Sequence, residues 1–334
     1  MPTSGGRKDI AASVHQAGYT PMPANEADAL PPAAAPREQT HIRFWGTRGS
    51  IPSPGPSTVR YGGNTSCVEI RVADTLLILD AGTGIRALGE ELKRQRGAVR
   101  ATVLLTHFHW DHIQGLPFFK PLHDPDARLD IFAPAADDAT VAQRLGHQME
   151  PAFFPVPFES IRADCRFGAW TQGEKQIGAW TQGEKRIGAC RVAVFPARHP
   201  SQTVGFRIDT PTGSIGYFPD NELLGGRYDV GPGWRGGLEE FLADVDVLIH
   251  DAMVVGEAYG AYEGWGHSTV EHALDLARCA GAKHLVGFHH SPHRSDDELD
   301  AELRRVQTLN PDGDLRFSLA AEGHDIVLDP DATT

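Results

Sequence analysis

The amino-acid sequence predicts an α/β chain folded as a four-layer αβ/βα sandwich. Two observations carry that reading. From about residue 40 the chain twice moves from a run of short strands into alternating helices and strands, and in both halves apolar runs end in side chains that bind metals or move protons. A doubly wound sheet fits this order less well, because its strands and helices would alternate throughout. The length of 334 residues exceeds a typical domain of about 150, yet one large domain over residues 40–330 takes nearly all of it.

Residues 1–39 show neither period, and PMPANEADALPPAAAPREQ is an Ala/Pro-rich composition, so this part is expected to be a disordered tail. HIRFWG, CVEIRV and TLLILD are short β-rich runs between Gly/Pro/Ser/Asn punctuation and predict an opening meander. GIRALGEELKRQ has helical spacing, and ATVLLT is a strand. A helix is expected after Asp111, then the strand RLDIFA and the helix DDATVAQRLGHQME. CRVAVFPA, TVGFRIDT and GSIGYFPD return to strands. The last third runs strand VDVLIHD, helix STVEHALDLARCAGA, strand KHLVGF, helix SDDELDAELRRVQTL and a closing pair, LRFSLA and DIVLD. A ten-residue repeat, GAWTQGEKQI at 168–177 and GAWTQGEKRI at 178–187, has too few copies for a solenoid. It reads as a duplication that lengthened a hairpin inserted at about 165–190, or as a means of offering Trp170 or Trp180 to a ligand.

Thirty-one Lys and Arg against 44 Asp and Glu leave a net charge of −13, which disfavours a groove for long nucleic acid. No apolar run has the length of a membrane span or a signal peptide, so a soluble, cytoplasmic protein is expected. Cys67, Cys165, Cys190 and Cys279 lack CxxC spacing, which argues against a thiolate zinc site, and a Cys165–Cys190 pairing stays open. Sixteen histidines, many clustered with aspartate, point to metal chemistry.

Six apolar runs end in Asp80, His107, His199, Asp220, Asp251 and His289. Strand ends converging on one rim would bring these six together. In THFHWDH, His107 and His109 are two apart and can face one side of an extended chain, with Asp111 and His112 on the turn that follows. Three imidazoles and a carboxylate are too many for one tetrahedral zinc with an open water position, and they suit two adjacent metals.

This HxHxDH block resembles the signature of the metallo-β-lactamase superfamily, and the resemblance runs from about residue 42 to 329. LLILDAGTG resembles the first motif of the same superfamily, and RFWGTRGSIP, HPSQTVGFRI, LIHDAM and WGHSTVEHALDLA resemble, more narrowly, the phosphodiesterases related to ribonuclease Z and to small cyclic-phosphate phosphodiesterases. The resemblance implies two divalent ions, zinc or else manganese. One would be held by His107, His109, His199 and Asp220, the other by Asp111, His112, Asp220 and His289, with Asp80 orienting the ligands from behind. It further implies a bridging hydroxide as nucleophile and, with Asp111 at the reacting centre, a His267–Asp251 pair that handles the leaving-group proton. The substrate would be a small phosphodiester: a cyclic nucleotide, a cyclic ribosyl phosphate or a short nucleotide. Ribonuclease Z carries a tRNA-gripping arm between its third histidine and the bridging aspartate. His199 and Asp220 are only 21 positions apart, which argues against tRNA processing. The group also often places an arginine soon after the last ligand, where this chain has His293 and then Arg294. A lactonase or thioesterase of the same fold and a non-catalytic binding relative are the alternatives, and a homodimer is left open.

Overall fold

The computed structural model describes residues 39–95, 97–170, 175–177, 180–225, 228, 230–309 and 315–329. The tail expected over 1–39 lies, apart from Gln39, outside the described residues.

Two seven-stranded sheets form the centre. The first runs, edge to edge, Asp325–Leu328, Thr40–Gly46, Cys67–Val72, Thr75–Leu79, Arg100–Leu104, Arg128–Ala133 and Asp164–Ala169. The second runs Arg316–Leu319, His284–Phe288, Val247–Asp251, Gly213–Phe218, Val204–Thr210, Cys190–Pro196 and Glu184–Ile187. In each sheet four neighbouring strands are parallel, from Thr75–Leu79 to Asp164–Ala169 in the first and from Gly213–Phe218 to Arg316–Leu319 in the second.

Three apolar clusters make the four layers. Phe44, Val68 and Leu77 of the first sheet meet Val192, Phe206 and Tyr217 of the second between the sheets. Leu88 of helix Gly84–Arg94 and Leu145 of helix Asp138–His147 cover the outer face of the first sheet against Ile78, Val103 and Ile131. Leu238 of helix Trp234–Phe241 and Leu274 of helix Val270–Ala280 cover the second against Phe218 and Leu248. The run TLLIL shows the logic. Leu77 and Leu79 enter the inter-sheet core while Ile78 packs under the helices, because side chains alternate along a strand and a strand covered on both faces can afford no polar position.

Several elements depart from expectation. The closing pair is not a hairpin: Arg316–Leu319 extends the second sheet, and Asp325–Leu328 crosses to pair with Thr40–Gly46 in the first. The helix expected after Asp111 is a single turn, Trp110–Ile113. Helix Trp234–Phe241 was not legible, since WRGGLEEF puts two glycines, poor helix formers, in its middle. Within the 165–190 segment, Asp164–Ala169 and Glu184–Ile187 are edge strands of the two sheets, so the extra hairpin is only Lys175–Ile177 with Trp180–Gln182. Trp170 offers nothing to a ligand. It is 4% exposed and packs in the inter-sheet core beside Phe132 and Phe206; the side chain of Trp180 lies outside the described residues. All four cysteines are free, so the Cys165–Cys190 pairing is not made. Among the described residues no helix is long and apolar enough to cross a membrane.

His284, which opens a central strand, is buried with Nε2 on Ser318 Oγ at 2.7 Å. Burial, aided by Arg316, lowers it to about 4. The folded form therefore keeps this ring neutral where an unfolded chain, with a pKa of about 6.5, takes up a proton. Its contribution to stability is complete above the unfolded pKa and is lost as the pH falls towards the folded one. His284→Gln is expected to show a smaller drop in melting temperature than wild type between pH 6.5 and 4, followed by circular dichroism; parallel curves would exclude this role.

Candidate metal centre

Parallel strands of one sheet end on the same edge, which is why open α/β sheets gather their functional groups beyond the strand C-termini. Asp80 follows Thr75–Leu79 and His107 lies just past Arg100–Leu104. Asp220 lies past Gly213–Phe218, Asp251 ends its strand, and His289 follows His284–Phe288. Two of these turns hold a non-glycine residue in the left-handed region, Asp80 at φ 59° and His289 at φ 58°, and Ser50 beside them has φ 63°. Such backbone costs about 1–3 kcal/mol per residue and persists only where the surroundings enforce it. Three of the five such residues among the described ones stand at this rim.

The ring orientations follow from who takes each Nδ1 proton. His112 Nδ1 is 2.8 Å from Asp80 Oδ2. His107 Nδ1 is 3.0 Å from the Thr106 hydroxyl, which in turn lies 3.0 Å from Asp80 Oδ1. His199 Nδ1 is 3.2 Å from the Gly266 carbonyl oxygen. With Nδ1 donating in each, the three Nε2 lone pairs are left for another partner. Those of His112 and His199 face only other polar members of the cluster, and His107 Nε2 is buried with no hydrogen-bond partner. Gly49 and Gly266 let the backbone come close. A Cβ on Gly49 would lie 2.3 Å from the His289 ring, and one on Gly266, at φ 90°, 2.0 Å from His199 Nδ1.

The ligating atoms converge in two lobes. His107, His109 and His199 form one, with His199 Nε2 3.0 Å from His109 Nδ1. Asp111, His112 and His289 form the other, with His289 Nε2 3.1 Å from Asp111 Oδ2 and 3.3 Å from His112 Nε2. Asp220 lies between them: Oδ1 is 3.9 Å from His199 Nε2, and Oδ2 is 3.0 Å from His112 Nε2 and 3.4 Å from His289 Nε2. His267 stacks on His289 with ring centroids 5.1 Å apart and gives Nδ1 to Asp251 Oδ2 at 2.9 Å. Asp251 is itself held by the Met253 amide at 2.9 Å.

Charge preferences follow. Burial holds the His107 ring well below the usual histidine range, with His112 adding to the effect, and brings His199 down to about 4. At His112 burial acts the same way but is outweighed by Asp111, Asp220 and Asp80, so this ring is pushed well up. Burial would raise the carboxyl of Asp220, yet His289 and His112 hold it well below the carboxylate range. Burial is likewise outweighed at His267, which Asp251 takes up to about 9. Rings that favour the neutral form at His107 and His199, a carboxylate that favours the charged form at Asp220 and an orphaned buried nitrogen at His107 make a donor set that fits divalent cations.

The centre opens into a cavity of about 480 Å³ lined by His109, Asp111, His267 and Ser50, and flanked by Trp110 and Trp265, which are 79% and 58% exposed. His293 and Arg294 are not among its lining residues. The Arg294 guanidinium is turned to the Glu298 carbonyl oxygen at 3.2 Å and to Glu302 at 3.8 Å. Sequence reasoning missed Glu222. Buried two residues after Asp220, it accepts from Tyr228 and Tyr259 hydroxyls at 2.7 and 2.8 Å and from the Gly264 and Gly266 amides at 2.9 Å, tying down the loop that carries Trp265 and His267. A carboxylate so close to a candidate ligand was the one signal available.

The profile of the Beta-lactamase superfamily domain matches residues 75–290. Ribonuclease BN of Cronobacter sakazakii is 24% identical over 319 residues, covering 82% of this chain and 96% of that protein. Ribonuclease Z of Bradyrhizobium diazoefficiens is 25% identical over 311 residues, covering 79% and 94%. Among solved structures, the metallo-beta-lactamase fold protein YhfI of Bacillus subtilis superposes with a TM-score of 0.61 at 18% identity, covering 87% of this chain and 100% of that one. Short-form human tRNase Z gives 0.58 at 21% identity, covering 86% and 99%. A diphosphatase of the PhnP family gives 0.58 at 17%, covering 86% and 97%. At these identities the structures establish the metallo-β-lactamase fold.

Asp80→Ala removes the partner that aims His112 and, through Thr106, His107. Loss of such a supporting contact typically weakens metal binding about 10- to 100-fold. Chelator competition on the purified variant is expected to show a loss of that size, and wild-type affinity would mean that the rings hold their orientation without it.

Proposed function

The chain belongs to the β-lactamase superfamily, and on that premise we propose that it is a dinuclear-metal phosphodiesterase acting on a small phosphodiester such as a cyclic nucleotide, a cyclic ribosyl phosphate or a short nucleotide. The His267–Asp251 pair beside the metal lobes carries this reading. Cleaving a phosphodiester expels an alkoxide that needs a proton, whereas a hydrolase that stabilises an acyl oxyanion has less use for a donor in this place. Asp251 occupies Nδ1, so Nε2 is the ring nitrogen that can hand a proton over, and the charge of Asp251 favours the protonated ring.

One ion would be held by His107, His109, His199 and Asp220 and a second by Asp111, His112, Asp220 and His289, with zinc favoured by the imidazole-rich set and manganese as the alternative. Bound there, such ions polarise phosphoryl oxygens and bring the pKa of water from 15.7 towards about 7. Asp111 is held in place by the Ser50 amide at 2.7 Å. Trp110 and Trp265 narrow the approach to the cavity. The ribonuclease names of two relatives and the diphosphatase among the structural neighbours support phosphoester chemistry. A small substrate is supported by the acidic balance of −13 and by the span from His199 to Asp220, which one strand pair, Val204–Thr210 with Gly213–Phe218, fills. The reading is tested by comparing kcat/KM for bis-p-nitrophenyl phosphate, cyclic nucleotides and a lactone; a preference for the lactone would move the chain to the lactonase class.

Elemental analysis of the purified protein is expected to find about two ions per chain, as two-metal sites of this type hold, and a crystal structure to show Asp220 on both. A single ion with Asp220 turned away would overturn the dinuclear reading. His267 also approaches Asp220 and His289 closely enough to serve as a ligand, and His267→Ala separates the two roles. As a proton donor its loss leaves metal content intact and lowers kcat by about 10²- to 10⁴-fold for poor leaving groups, with little effect on p-nitrophenyl esters. Loss of metal, or equal loss on both ester types, would refute the assignment.

A further inference from the structure

Beside the metal cavity lies a second hollow of about 650 Å³, and Phe108 and Trp110 line both. Its walls come from two segments. Trp110 and Phe118 belong to the stretch after His109; Phe153 and Phe154 follow helix Asp138–His147. Trp110, Phe118 and Phe153 are 79%, 55% and 70% exposed, and Phe118 meets Phe154 edge-on with centroids 5.3 Å apart. Large aromatic faces gathered around one concavity and left to water mark a binding surface. The hollow also carries polar instruction. Arg144 is exposed and lines the hollow, its guanidinium 4.9 Å from the centroid of the Phe108 ring.

We propose that this hollow is the subsite for a flat, nitrogen-bearing aromatic ring of the substrate, a nucleobase, stacked on the Trp110 and Phe153 faces with the Arg144 guanidinium donating to an acceptor on the ring edge, while the phosphodiester lies in the metal cavity. The inference rests on the phosphodiesterase reading and narrows it to diesters that carry a base, setting base-free cyclic ribosyl phosphates aside. An alkyl chain would fill the same volume but give the Arg144 guanidinium no acceptor. A base supplies that acceptor on its edge and two π-faces for the aromatic walls. The stacking role that the sequence suggested for Trp170 thus belongs to other aromatics, those bordering the metal ligands.

Adenosine has no phosphate and needs no metal, so it tests the subsite apart from catalysis. Titrated into the full chain, it is expected to quench tryptophan fluorescence saturably, with the response lost in Trp110→Phe. Phe153→Ala, a change at an exposed position that leaves the core untouched, and Arg144→Leu are each expected to weaken adenosine binding, the former by about 5- to 100-fold, the range of losing one base stack. Decanoate is expected not to compete. Absence of saturable adenosine binding, affinity unchanged in both variants, or displacement by decanoate would overturn the proposal. The two readings fail separately. Adenosine binding without hydrolysis of any diester would remove the phosphodiesterase and keep the subsite. Equal kcat/KM for diesters with and without a base, unmoved by Phe153→Ala, would remove the subsite and keep the phosphodiesterase.

Discussion

The carboxyl of Asp80 is the joint on which the rest of the centre depends. It is fully buried and accepts from the Thr106 amide at 2.8 Å, the Thr106 hydroxyl, His112 Nδ1 at 2.8 Å and the Tyr217 hydroxyl at 2.9 Å. Left unpaired, such a group would cost several kcal/mol. Fully paired, it converts that penalty into specificity, since only one arrangement of its four donors satisfies it. Asp80 and Thr106 follow two strands of the first sheet and Tyr217 lies in the second, so the same contact that aims two imidazoles also registers one sheet against the other. The left-handed backbone at Asp80 is the local strain that puts its side chain there.

From that joint the two halves of the chain play matched parts. Each sheet sends parallel strands to the rim, and each contributes groups to both lobes or to the bridge between them: His107, Asp111 and His112 from the first half, His199, Asp220 and His289 from the second. Neither half could assemble the centre alone. The core between the sheets, with Phe44, Leu77, Phe206 and Ile249, therefore underwrites the spacing of the lobes as much as it stabilises the fold. A shift of one residue in the pairing of Gly213–Phe218 with Val247–Asp251 would turn Tyr217 away from Asp80, because the side-chain period of a strand is two.

What could be read from the sequence was the part governed by short-range periodicity. Apolar runs ending in Asp80, His107, Asp220, Asp251 and His289 are visible because a strand buried on both faces tolerates a polar group only at its end, and both sheets are visible in such runs. What escaped depends on contacts between distant segments. Nothing near Glu222 announces that Tyr228, Tyr259, Gly264 and Gly266 close on it. Trp170 and Trp110 are both single tryptophans beside polar residues; only the packing of Phe132 and Phe206 over one, and of water over the other, separates a core residue from a cavity wall. The glycines of WRGGLEEF conceal a helix that Trp234 anchors through Nε1 to the Pro196 carbonyl oxygen at 2.8 Å.

These two kinds of residue also divide the chemistry. The candidate ligands stand on strand ends and tight turns braced by buried hydrogen bonds, the places where a fold can hold atoms to a fraction of an ångström, and such a donor set serves many hydrolytic reactions. Choice among substrates has to come from what surrounds it. Here that surround is built of exposed side chains on short helical turns and loops: Trp110 and Phe118 on one side, Phe153 after helix Asp138–His147, Trp265 on the loop that Glu222 secures. Because these four side chains lie outside the three cores, they can vary without disturbing the bracing around Asp80, and the same rigid centre can be turned to a different substrate by a few aromatic replacements at its edge.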